Sequence, residues 1–294
     1  MFQFFVFWLA ALLSVSGSQA QLQVLDDSGH NLILERPANR IISLAPSLTE
    51  LLYAAGAGSK IVGVVEFSDY PPEASEIAIV GRHDLLDLER IVSLRPDLIV
   101  AWQTGNPVGS IRQLRGLGLE VYIAEPKSLA SVAEQLTRLG VLAGTTPIAS
   151  QASSDFLLTL NHLQGRYSDA EPVDVFYQVW DTPLITAGGN ELLNDIITVC
   201  GGKNVFADIS TMAPKVNREA VLARNPEVII ASGMDRARPE WLDDWRRWPT
   251  LQAVQKSQLF YIAPDLLQRH TPRALEGATL LCEQLAGARE NRGR

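Results

Sequence analysis

The chain has 294 residues, 47% of them hydrophobic and 20% charged, as in an ordinary soluble globular protein. At about 100 to 200 residues per domain it should hold two domains, and disorder, collagen and coiled coil are excluded as its main form. Lys and Arg number 25 against 33 Asp and Glu, a net charge of −8, which repels phosphate backbones and anionic lipid and argues against a nucleic-acid partner.

Residues 2–13 are an apolar run followed by Ser14, Ser16, Gly17, Ser18 and Ala20. A bilayer span needs about 20 apolar residues, whereas this shorter run with small residues behind it suits a signal peptide over 1–20, although the n-region has no Lys or Arg. Cleavage is expected after Ala20, giving an exported protein. A strand is expected at 41–44, then a Ser-x-x-Glu capping box at Ser47 and Glu50 opening a helix that stops at Gly56. Strands follow at 61–65, 97–102 and 119–124, separated by helical stretches, and such crossovers make a parallel sheet with helices on both faces. This is an N-terminal α/β lobe over 21–146.

Residues 147–167 read as one long amphipathic helix, with Phe156, Leu157, Leu160 and Leu163 apolar, bridging at 147–170 to a second α/β lobe over 171–294. An internal repeat supports the duplication: 87–100 matches 217–230 at a constant offset of 130, pairing Glu89 with Glu219 and Pro96 with Pro226. Two lesser echoes align Gly56 with Cys200 and 121–124 with 260–263. Cys200 and Cys282 are the two cysteines; in an oxidising compartment they read as one bridge, with two buried thiols as the alternative. Neither stands in a C-x-x-C spacing, so redox chemistry and zinc have no support.

No G-x-S-x-G elbow, Walker A loop, H-E-x-x-H or G-x-G-x-x-G after a strand is present, which weighs against an enzyme. Two parallel-sheet lobes leave a cleft at the carboxyl ends of their strands. The residues just past those strands are the candidates: Tyr70 after the 61–65 strand, Trp102 after the strand beginning at Asp97, and Asp265, Gln268, Arg269 and His270 after the 259–263 strand. An aromatic wall with a few polar groups suits a large planar ligand carrying amides or acids. His83, with Asp84 and Asp87 near it, is a weak metal-ligand candidate, and no metal site is expected.

The segments 41–46, Ser68-Asp69-Tyr70-Pro71-Pro72, Leu88-Glu89-Arg90-Ile91, 95–99, Ala101-Trp102, Cys200-Gly201-Gly202, Arg218-Glu219 and Thr271-Pro272-Arg273 resemble, in this order, the periplasmic cobalamin-binding proteins of ABC importers. The wider family also binds haem and ferric siderophores. The resemblance covers about 37–286. It implies two Rossmann-like lobes joined by a single long helix, a corrinoid in the cleft as transported ligand rather than cofactor, and a periplasmic protein, a monomer when free, that docks on permease subunits. It carries ligand contact to Tyr70, Trp102, Asp265 and Arg269, a disulfide to Cys200 and Cys282, and transporter docking to Glu89 and Glu219, each at a helix start where acid also suits the dipole. Where further aromatics are expected, this chain has His83, Val179, Ala213, Leu266 and Leu267, with Trp180 a possible substitute; His83 joins the ligand set on that account. The alternatives are a haem or ferric-siderophore binder with Tyr70 or His83 near iron, and a secreted metalloenzyme using His83 and Asp84.

Overall fold

A computed structural model of the chain describes residues 21–233 and 237–293; residues 1–20, expected from the sequence to be a signal peptide, lie outside them. A hairpin of β1 (Leu22–Leu25) and β2 (Asn31–Leu34) comes first. The N-terminal lobe follows: β3 (Ile41–Ser43), α1 (Pro46–Ala54), β4 (Ile61–Val64), a short pair β5 (Gly81–Arg82) and β6 (Leu85–Leu86), α2 (Leu88–Ser93), β7 (Leu98–Trp102), α3 (Val108–Gly116), β8 (Val121–Ala124) and α4 (Leu129–Ala143). Helix α5 (Thr146–Tyr167) leads to β9 (Val173–Trp180), β10 (Ile185–Thr186), α6 (Leu192–Val199), β11 (Gly202–Asn204), α7 (Arg218–Arg224), β12 (Val228–Ala231), α8 (Gln252–Gln255), β13 (Leu259–Tyr261), α9 (Pro264–Leu267) and α10 (Ala274–Glu290).

The first sheet runs β4-β3-β7-β8, all parallel. The second places β11, β9, β12 and β13 in the same parallel order, with β10 added antiparallel to β9. The chain is therefore two α/β lobes of matching topology joined by α5. The repeat at offset 130 extends to backbone detail. Asp87 caps α2 by accepting from Arg90 N at 2.9 Å, and Asn217 caps α7 by accepting from Ala220 N at 2.8 Å. Arg95 and Asn225 both have positive φ, 48° and 43°, just before Pro96 and Pro226. The acid one residue past each proline then accepts from the backbone at the entry to the central strand, Asp97 from Arg40 N at 2.8 Å and Glu227 from Asp174 N at 3.4 Å.

Two sequence expectations need correction. Helix α1 starts on Pro46, whose fixed φ suits the first helical position, with extended Ala45 as an N-cap that makes no side-chain bond. There is no Ser47–Glu50 capping box, and Glu50 is released for other work. The lesser echoes are each one residue out of register. Gly56 and Gly201, at φ 79° and 67°, are the matching left-handed residues, and β7 pairs with Val121 where β12 pairs with Leu259.

Helix α5 is not an isolated spine. Its buried Phe156, Leu160 and Leu163 share one hydrophobic core with Leu136 and Leu139 of α4, Leu193 and Ile196 of α6, and Leu281 and Leu285 of α10. The same core takes in Val100 from the first sheet and Val175 and Tyr177 from the second. Leu157, expected on the apolar stripe, is 37% exposed. Across the lobes, Leu129 N at the start of α4 donates to Asp195 on α6 at 2.7 Å. Cys200, which ends α6, is bridged to Cys282 of α10 with Cα atoms 4.6 Å apart and both side chains fully buried.

Candidate functional site

The cleft lies between Trp102 of the first lobe and residues 267–270 of the second. Two adjoining cavities of about 140 and 100 Å³ share Trp102, Gln268 and His270. The smaller reaches Ala45, Pro46, Ser47 and Arg269; the larger is lined by Tyr177, Val179, Thr186, Glu191, Met212, Ala213 and Leu267. Trp102 ends β7, and its position is set by the turn that follows. Asn106, 5% exposed, accepts from Trp102 N at 2.6 Å and donates to the carbonyls of Leu44 and His83 at 2.9 and 2.8 Å. One amide thus ties three loop segments together, and the His83 ring lies 6.0 Å from the indole, tilted by 43°.

Behind the cavity wall, a charge cluster joins the lobes. Glu50, with 2% of its side chain exposed, accepts from Arg269 at 2.9 Å and from Arg273 at 2.8 and 2.6 Å. Arg269 also pairs with Asp69 at 2.9 Å and with Asp265 at 3.3 Å. Burial pulls the Arg269 and Arg273 pKa values down, but the hydrogen bonds both donate to Glu50, and that Arg269 donates to Asp69, more than offset it, and both lie above the usual guanidinium value. The Arg273 guanidinium stacks over the Tyr70 ring at 3.9 Å.

Of the residues named from the sequence, the structure places Trp102 and Arg269 on the cleft and His83 beside Trp102. Asp265 stands behind Arg269. Tyr70 borders a separate cavity of about 410 Å³ with Glu50, Tyr53 and Arg273. Trp180 does not line the cavity and bonds instead to Thr182 O at 3.0 Å. Strand periodicity explains this: Tyr177 and Val179 share one face of β9, while Gln178 and Trp180 point to the other, where Gln178 meets the Trp245 indole N–H at 2.7 Å. Asp84 is paired with Arg82 at 2.5 Å and Asp87 caps α2, and no group of three or more His, Cys, Asp or Glu among the described residues is placed to hold a metal ion.

Comparison with known proteins agrees with this geometry. The family model described as "Periplasmic binding protein" matches residues 41–266. The chain belongs to this family. It is 39% identical over 250 residues to the vitamin B12-binding protein of Vibrio cholerae serotype O1, covering 85% of this chain and 90% of that protein. It is 37% identical over 253 residues to the vitamin B12-binding protein of Yersinia pestis, covering 85% and 87%. The crystal structure of the periplasmic vitamin B12 binding protein BtuF of Vibrio cholerae superposes with a TM-score of 0.80 at 38% identity, covering 86% of this chain and 98% of that one.

Within this periplasmic binding protein, Glu89 and Glu219 are exposed in the first turns of α2 and α7, one per lobe, as the repeat requires. Sequence reasoning missed Glu50, Asn106, Tyr177 and Glu191. Glu50 was hidden by a spacing that mimics a capping box. Glu191 caps α6 by accepting from Leu193 N at 2.6 Å, but it stands in a short polar loop with no distinguishing pattern. Tyr177 was accessible in principle, since the alternation of Val173, Val175 and Tyr177 marks one face of a strand.

Proposed function

We propose that this chain, exported to the periplasm as a monomer, captures cobalamin or a related corrinoid between its lobes and delivers it unchanged to an inner-membrane ABC importer. The reading rests on 39% identity through 85% of the chain to a vitamin B12-binding protein, and the Trp102-walled cleft suits a large flat ligand. Trp102 supplies the aromatic face, Arg269 and Asp265 the polar edge of the second lobe, and His83 the rim of the first, with Tyr70 reached only by a ligand that extends into the neighbouring cavity. Glu89 and Glu219 dock on the two halves of the permease, because paired acids on two lobes can meet paired basic sites.

Incubating the mature protein separately with cyanocobalamin, haem and a ferric siderophore, desalting it and recording the absorption spectrum tests the reading. The corrinoid spectrum should persist in the protein fraction. Retention of haem or siderophore alone would replace the corrinoid with that ligand, and retention of none would return the cleft to other uses, a metalloenzyme included.

A further inference from the structure

The charges lining the cleft are unevenly matched. Arg269 and Arg273 are the two guanidiniums that border the cleft and the neighbouring Tyr70 cavity, and both are already engaged by Glu50, Asp69 and Asp265. On the far wall stands a further carboxylate, Glu191, only 10% exposed in its side chain, held by His270 Nε2 at 2.9 Å. His270 is itself 8% exposed. Tyr177, fully buried in the same lining, has a hydroxyl that lies beside Ser232 and Gln268 but makes no well-aligned hydrogen bond. The wall therefore combines an acid with an unfilled hydroxyl, and among the described residues that line it no cation is free of an acid partner.

We infer that the Glu191–His270–Tyr177 wall selects a macrocycle rimmed by uncharged amides over one rimmed by carboxylates, with Glu191 as the specificity-determining residue. A primary amide offers both N–H donors and a carbonyl acceptor, so it can use the carboxylate, the imidazole and the phenol in turn. A carboxylate in its place offers acceptors alone and meets Glu191 as a like charge in a partly desolvated site. Sites built on buried polar groups discriminate strongly against a ligand that cannot pair them.

The inference rests on the corrinoid reading, and the experiment separates the two. Wild-type protein and Glu191→Gln, which keeps an oxygen for the α6 cap, are titrated at neutral pH with the dicyano form of fully amidated cobyrinic acid and with dicyano cobyrinic acid itself. The wild type should favour the amidated ligand at least about tenfold, and Glu191→Gln should narrow that ratio by about tenfold, mainly by improving the acid's binding. If the amidated form binds and the acid binds within about twofold of it, the inference falls and the functional reading stands. An unchanged ratio in a folded Glu191→Gln variant overturns Glu191's role; should that variant fold poorly, the wild-type ratio decides. Failure of the amidated form to bind overturns both readings.

Discussion

Gly105 decides where Trp102 lies. A β-carbon there would fall 1.8 Å from Trp102 Cε3, far inside contact distance, so Gly105→Ala must push the indole off its wall. Calorimetry should show cobalamin binding about ten- to a hundredfold weaker in Gly105→Ala and in Trp102→Ala, each with an unchanged circular dichroism spectrum. Wild-type affinity in both would make Trp102 a packing residue. Glu50 belongs to the same scale. Its replacement by Ala takes the buried carboxylate from Arg273 and leaves Arg269 only Asp69 and Asp265, and removing one partner of a buried pair costs about 3 to 5 kcal/mol. Urea unfolding of Glu50→Ala should show a loss of that order; a change below about 1 kcal/mol, the level of a surface pair, would mean the cluster is well solvated. The sequence made Glu50 visible and misassigned it, because Ser-x-x-Glu spacing describes a cap whether or not a proline has already started the helix one residue earlier.

At the scale of elements, the duplicated helix-Pro-strand unit was legible because its periodic apolar residues, prolines and acids recur at one offset. The weaker echoes slipped by one residue because apolar strand positions tolerate many matches. The left-handed glycines at 56 and 201, which fix the true register, leave no mark in hydrophobicity. The repeat also has a consequence in acid. Burial alone would raise the Glu227 carboxyl, but the hydrogen bonds from Arg292 and from Asp174 N bring it below its ordinary value. A folded value below the unfolded one stabilises fully above the ordinary carboxylate range and is lost as pH falls through the depressed value. Arg292→Ala removes the main cause, so its stability should decline less between pH 7 and about pH 3 than that of the wild type. Urea midpoints across that interval check this, and parallel curves would contradict it.

For the whole molecule, the shared core of α4, α5, α6 and α10 makes the bridging helix part of one helical layer that packs on strands of both sheets. The alternation of strands and helices foretold two lobes, but the sequence had no signal for the charge cluster across them, since Glu50 and Arg273 are separated by 223 residues. Delivery is a property at this scale. Exchanging Glu89 and Glu219 together for Ala should leave cobalamin affinity near wild type while uptake at limiting ligand, or binding to the purified importer, falls; each lost helix-dipole contact costs about 1 kcal/mol or less. Normal uptake at equal expression would leave the two acids as helix-start residues. The most direct test of the central claim is a calorimetric titration of the mature chain with cyanocobalamin. The account predicts saturable binding at one site per chain, whereas absence of binding, in a sample shown to be folded with its disulfide intact, would contradict it.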